Sequence, residues 1–301
     1  MSYPLVNIEN NPFNTSRKNF KPLIFDGAMG TYLQEKGYVP NSVLWMTEIN
    51  QTNPDIIVQF HKEYIEAGAD IITTNTFRTN PTAFESTGKD WVSNVKHAVK
   101  LAQTAAKGYD KKVYITGSNA PAEDCYQTER TISNNKLEIN HKYHIDLLVD
   151  NNVDFILNET QSHFDEIEII CNHCHKNKIP FLISLYLTDT LNILSGESLK
   201  YVLQFILDYE PLAIGFNCIP PNVFNKIREQ VQLNFNWGYH LNCGLGNPSD
   251  KMITSCISPD EYIEIVKESM KNNPSFIGSC CGSNPNHIRN IKEFLDGRNK
   301  S

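Results

Sequence analysis

The stretch Phe181-Leu182-Ile183-Ser184-Leu185-Tyr186-Leu187 decides the fold. A strand with one face in water alternates apolar and polar residues. This run is apolar at nearly every position, which suits a strand buried on both faces of a parallel sheet. Parallel strands need crossover connections, usually helical. Working outward, strand-like runs recur at 22–28, 70–76, 112–118, 153–160, 212–218, 236–243 and 275–281, eight in all. Helical signals lie between them. Asn53-Pro54 reads as a cap and first helical residue ahead of Ile57, Phe60 and Tyr64. Ser258-Pro259-Asp260-Glu261 is a capping-box pattern, and Asn284-Pro285 repeats the cap-plus-proline signal ahead of Ile288, Ile291 and Leu295.

Strand followed by helix eight times over predicts an α/β single domain, a (β/α)8 TIM barrel over residues 21–301, with 1–20 as an N-terminal extension. An open doubly wound sheet is the alternative, because periodicity does not report closure. One connection, 119–140, exceeds the usual length and reads as a lid. With 40% hydrophobic and 20% charged residues the chain can bury a sizeable core. A net charge of −7 and a pI near 5.7 argue against nucleic-acid or anionic-membrane partners. The polar start lacks the pattern of a signal peptide, and no apolar run reaches the ~20 residues of a membrane span. A cytoplasmic protein is expected.

In a reducing compartment the eight cysteines read as free core residues or metal ligands. Cys218 ends the sixth run, and Cys280 and Cys281 end the eighth. In a parallel barrel these ends share the face where active sites are built. Adjacent cysteines in a regular strand point to opposite faces, so both can serve one ion only where the strand has ended, a freedom that Gly278 and Gly282 offer. Three thiolates leave one tetrahedral position open, as in a catalytic zinc site. Three small core residues, or a vicinal disulfide, is the competing reading, and spacing does not choose between them. Cys171-Asn172-His173-Cys174-His175 contains C-x-x-C-H, but it lies in a helical segment without a second Cys/His pair at structural-zinc spacing. It reads as a helix end with buried thiols and solvated histidines. Cys125 and Cys256 read as structural or incidental, and Cys243 as near the mouth but ranked below the three.

Several strand-end stretches together resemble the homocysteine S-methyltransferase family. They are Phe25-Asp26-Gly27-Ala28-Met29-Gly30-Thr31, Ala67-Gly68-Ala69-Asp70, Thr74-Asn75-Thr76-Phe77, Asn158-Glu159-Thr160, Gly215-Phe216-Asn217-Cys218 and Gly278-Ser279-Cys280-Cys281-Gly282. The order and spacing match from about residue 22 to 295. The resemblance implies a (β/α)8 barrel in which Cys218, Cys280 and Cys281 hold Zn2+ and homocysteine is methylated to methionine. Two departures stand out: Ser279 replaces a usual second glycine, and Gly117-Ser118-Asn119-Ala120-Pro121 lacks another.

The chemistry agrees with the implied role. A free thiol with a pKa near 8.5 is only slightly ionised at neutral pH, and a metal would deprotonate it. Asp26 and Glu159 are the natural partners of the substrate ammonium, and the amides of Gly27 and Ala28 of its carboxylate. A turn residue and a solvated carboxylate are the bland readings of the two acids. Thr76 and Asn217 are weaker candidates for orienting the substrate. For the donor, cobalamin-using relatives carry extra modules and betaine-using relatives a C-terminal extension. The chain's size and Leu44-Trp45 resemble the stand-alone enzymes that use S-methylmethionine or S-adenosylmethionine. Against that, Thr74-Asn75-Thr76-Phe77 and Asn242-Cys243-Gly244-Leu245-Gly246 resemble the cobalamin type, so a separate corrinoid protein, or betaine, remains the alternative. A non-catalytic zinc- or thiol-binding barrel is the rival class.

Overall fold

The computed structural model describes residues 10–41, 43–244 and 256–298. Eight parallel strands are present: β1 (Leu23–Ile24), β2 (Ile71–Thr73), β3 (Tyr114–Asn119), β4 (Phe155–Gln161), β5 (Phe181–Leu185), β6 (Ala213–Asn217), β7 (Trp237–Leu241) and β8 (Phe276–Ser279). Their order around the sheet, β1-β8-β7-β6-β5-β4-β3-β2, is that of a (β/α)8 barrel. Six strands fall inside the sequence runs, and β3 and β4 each extend one residue beyond theirs, to Asn119 and Gln161. The runs overshoot mainly at their C-terminal ends, where the residues form the turns at the mouth. All five residues of β5 are buried, as a strand covered on both faces requires.

The barrel closes between β1 and β2 through a single bridge, Phe25 to Ile71. Side chains complete this seam. The Asp70 carboxylate accepts from Ile24 N at 3.0 Å, and the Asp26 carboxylate accepts from Thr73 N at 2.7 Å and Thr73 Oγ1 at 2.9 Å. Two carboxylates therefore occupy ladder positions that backbone carbonyls fill elsewhere.

The helices return as their caps suggest. Ser258 and Glu261 form a reciprocal capping box on Pro259–Ser269. Asn284 Oδ1 accepts from Asn286 N at 3.1 Å at the start of Pro285–Arg298. Asn53 precedes Pro54–Ala67 but makes no side-chain cap bond, so there the proline carries the start signal. Among the described residues no helix is long and apolar enough to cross a membrane.

The described part of the N-terminal stretch covers the bottom of the barrel. Helix Pro12–Lys18 inserts Phe13, fully buried, edge-on between Phe155 and Phe276 with centroids 5.8 and 5.7 Å away. Asn11 donates to Leu212 O at 2.9 Å, and Ser16 to Ser275 O. These bonds satisfy carbonyls that precede β6 and β8. Replacing Phe13 by alanine should cost ~3–5 kcal/mol of stability, the usual range for a buried phenylalanine. Urea unfolding reads this as a lower midpoint at unchanged slope. An unchanged midpoint would show that the barrel floor does not need the plug.

Candidate active site

The strand ends place the three cysteines of the sixth and eighth runs together. β6 stops at Asn217, and Cys218 adopts φ 55°, a left-handed conformation uncommon for a residue with a Cβ. Its N–H donates to His240 O at 2.9 Å, which holds the turn. β8 stops at Ser279, so Cys280 and Cys281 lie beyond the regular strand and escape strict alternation. Gly282 follows at φ 84°, the freedom expected of it. Gly278 has a different reason: it is inside the strand, where a Cβ would sit 2.4 Å from the His240 ring. The amides of Cys243 and Gly244 donate to Cys281 O at 2.8 and 2.9 Å and fix the pair from β7.

The ligand-type atoms of Cys218, Cys280 and Cys281 lie within 4.8 Å of one another, a group able to hold a metal ion. Cys281 Sγ stands 3.9 Å from each of the other two sulfurs. Cys218 and Cys280 are joined as a disulfide with their Cα atoms 5.8 Å apart, so the cross-link is not between the adjacent residues. Burial, reinforced by the nearby Glu159 charge, pushes the Cys281 thiol up to about 11.

The sulfurs open into a cavity of about 320 Å³ at the C-terminal face, lined also by Asp26, Gly27, Ala28 and Glu159. Burial pushes Asp26 up to about 8, with the Glu159 charge adding to the shift and the Thr73 bonds opposing it. Burial likewise pushes Glu159 up to about 7, opposed by a bond from Ser118 Oγ. Glu159 reaches the cavity through an irregularity: β4 pairs Asn158 with Ile183 but Gln161 with Leu185, one residue extra on the β4 side. Thr160, in this bulge, has φ 57°. Asn217 clamps it, accepting from Thr160 N at 2.8 Å and donating to Thr160 Oγ1 at 2.7 Å.

Thr76 and Asn217 do not line the cavity. Thr76 Oγ1 pairs with Thr74 Oγ1 and donates to Ser118 O at 2.8 Å, behind the wall. The Ala28 N–H donates to Ser283 Oγ at 3.1 Å, which leaves the Gly27 amide as the donor of that turn. The long connection shortens, because helix Asn134–Asp150 begins inside it, and it is tied down. Buried Glu166 accepts from Ala122 N at 2.8 Å and pairs with Arg130 at 3.1 Å, and Ser162 Oγ donates to Cys125 O at 3.0 Å. This segment brings Asp124, Cys125 and Tyr126 to the cavity wall, so Cys125 is part of the site surface. Cys171 and Cys174 are buried in helix Phe164–Lys176, away from the cavity. His173 is buried beside them, 2.7 Å from Asp146, whereas only His175 is exposed. Cys243 is buried behind the mouth and Cys256 is exposed. Leu245 and Gly246 lie outside the described residues.

Sequence reasoning passed over Arg78, Tyr126 and His240 and noted Ser279 only as a departure from the family pattern; all four line the cavity. Of the two departures from the family pattern, Ser279 adds a hydroxyl here. Ser118 bonds Glu159, and Ser279 lines the cavity with an oxygen that has no protein partner. His240 Nε2 also lacks a partner, and burial pushes the ring down to about 3, so it is neutral.

A parallel barrel with three cysteine sulfurs, the buried Asp26 and the half-buried Glu159 at its C-terminal mouth defines a (β/α)8 enzyme with a sulfur-rich centre. The chain belongs to the homocysteine S-methyltransferase family, whose sequence profile matches residues 23–295. It is 23% identical over a 327-residue alignment to homocysteine S-methyltransferase 2 of Arabidopsis thaliana, covering 96% of this chain and 98% of that one. Selenocysteine Se-methyltransferase of Brassica oleracea var. italica is 23% identical, covering 91% of this chain and 89% of that one. The metallated form of the homocysteine methyltransferase MmuM from Escherichia coli superposes with a TM-score of 0.79 at 22% identity, covering 94% of this chain and 99% of that one.

Replacing Asn217 by alanine removes both bonds that hold the left-handed Thr160. The expected loss is ~1–3 kcal/mol for two neutral hydrogen bonds, read by denaturant unfolding. A stability change near zero would show that the β4 bulge holds itself.

Proposed function

We propose that this enzyme methylates the thiol of homocysteine to give methionine. In this reading zinc is held by Cys218, Cys280 and Cys281, and the donor is a small sulfonium compound, S-methylmethionine or S-adenosylmethionine. The observation that carries it is the meeting of three cysteine sulfurs, the buried Asp26 and the half-buried Glu159 in one cavity. The name of the E. coli relative, a metallated homocysteine methyltransferase, supports it.

The donor set fits zinc. Sulfur ligands suit it, and the 3.9 Å separations of Cys281 from the other two sulfurs match the edge of about 3.8 Å in a tetrahedron with Zn–S bonds of about 2.3 Å. Metal would be held once the Cys218–Cys280 bond is reduced. Bound zinc supplies a Lewis acid that lowers the pKa of a thiol entering its open position.

The chain's own residues do the rest. Asp26 and Glu159 take the ammonium of homocysteine, and the Gly27 amide its carboxylate. Trp45, Phe77 and Tyr126 present aromatic surface to a cationic donor. In the transfer a bond forms between the homocysteine sulfur and the methyl carbon. The bond from that carbon to the donor sulfur breaks, and its electron pair stays with the donor, which leaves as a neutral thioether.

Purified under reducing conditions, the protein should hold about one zinc per chain, lost in Cys218→Ala and retained in Cys171→Ala. Elemental analysis decides. Zinc that survives in Cys218→Ala and disappears in Cys171→Ala would refute the site.

Charge recognition has its own test. Glu159→Gln should weaken homocysteine binding roughly ten- to hundredfold, the worth of a charge-assisted hydrogen bond. 4-Mercaptobutyrate, the same molecule without its amino group, should bind wild type and variant alike. Equal losses for both ligands would remove the ammonium from this site. Asp26→Asn needs unfolding data alongside, because its amide would face the Thr73 donors that close the barrel.

The pH dependence follows from the raised carboxyls. The native state holds these protons more tightly than the unfolded chain, so their effect on stability is unfavourable as pH rises from the unfolded carboxyl range to about 7–8. An ammonium favours the ionised pair. Homocysteine binding should therefore release protons and tighten as pH rises through about 7. Calorimetry in buffers of different ionisation heat measures the release, which Glu159→Gln should diminish.

A further inference from the structure

We propose that Arg78 binds the carboxylate of the methyl donor and thereby selects onium donors that carry one. The inference rests on the sulfonium reading above and adds a specificity-determining residue to it.

The charged residues lining the cavity, among the described residues, are Asp26, Asp124, Glu159 and Arg78, with His240 neutral. Arg78 is the one cation in that wall. Its side chain is 17% exposed, and its fork is only partly used. One nitrogen donates to Glu123 O at 2.8 Å. The Asp124 carboxylate is 3.8 Å away, beyond hydrogen-bond distance, and its own side chain is 61% exposed. A guanidinium has five N–H donors in a planar fork shaped for a carboxylate. Donors remain for a ligand in the cavity.

The guanidinium carbon of Arg78 lies 5.7 Å from the Phe77 ring centroid. Arg78 lines the same cavity as Cys218, Cys280 and Cys281, and the acids Asp26 and Glu159 line that cavity too. The acids serve the ammonium of the methyl acceptor. Arg78 is beside Phe77, and Trp45 and Tyr126 also line the cavity. An amino-acid sulfonium needs that second combination, with aromatic faces for its positive sulfur and a cation for its carboxylate. Two zwitterionic substrates can then occupy one cavity without competing for the same charges.

The test uses the zinc-loaded protein with homocysteine and two donors. One is S-methylmethionine. The other is (3-aminopropyl)dimethylsulfonium, the same cation without the carboxylate. Arg78→Gln should raise the KM for S-methylmethionine roughly ten- to hundredfold and leave the KM for homocysteine unchanged. The decarboxylated donor should be used equally by wild type and variant. Arg78→Lys, which keeps the charge but loses the fork, should fall between them. Equal losses with both donors would overturn the proposal, because Arg78 would then only support the 120–133 segment through Glu123. A raised KM for homocysteine alone would assign Arg78 to the acceptor and also overturn it. No effect on either substrate has the same consequence. If wild type uses S-methylmethionine, any of these results leaves the sulfonium reading intact. If wild type moves a methyl from neither sulfonium to homocysteine, that reading fails and takes this assignment with it.

Discussion

The molecule depends on how its barrel closes. β1 and β2 share a single bridge, and the Asp26 carboxylate completes the seam by taking both donors of Thr73. A barrel has no spare edge, so an open seam would expose unpaired backbone groups and unfasten the register of every strand. The same carboxylate faces the cavity. A group that closes the barrel is fixed by the whole sheet, which makes it a rigid wall for a ligand. That dual placement has an electrostatic cost: burial, with the Glu159 charge adding to it, raises the Asp26 carboxyl.

Backbone strain collects at the opposite side of the mouth. Thr160 and Cys218 both adopt left-handed conformations, and Asn217, adjacent to Cys218, clamps Thr160. The β4 bulge and the β6 terminus are thereby coupled, so Glu159 and Cys218 are presented in a fixed relation. Such conformations persist only where their surroundings over-determine them. Asn217 and Thr76 belong to this supporting layer, bonded to other residues of the strand ends and absent from the cavity wall.

The segment over the mouth is similarly constrained. Glu166 is fully buried, and burial alone would raise it. His141, Arg130 and the Ala122 amide outweigh that and hold it below the usual carboxylate range. The 120–133 connection is therefore a fixed wall in this structure, with Cys125 and Tyr126 as its inner surface. Anchoring through buried charge gives that wall a defined position, since a charged group in the interior must keep its partners.

The sequence by itself determined the eight strand–helix units, because side-chain periodicity and cap residues are local signals. Ser258 and Glu261 needed only each other to declare a helix start. It also marked the three cysteines, since strand ends in a parallel barrel must meet on one face, while Asp26 and Glu159 stood out through the family resemblance. Closure was decided only in three dimensions: no periodicity in 22–28 or 70–76 reveals that two aspartates finish the seam. The same holds for Arg78, Cys125 and Tyr126, which lie in loops where orientation depends on distant partners such as Glu166. Gly278 was read as a flexible turn and proved to be a strand residue kept small by the His240 ring. Local pattern carries backbone preference, whereas which side chains share a cavity depends on contacts between residues far apart in the chain.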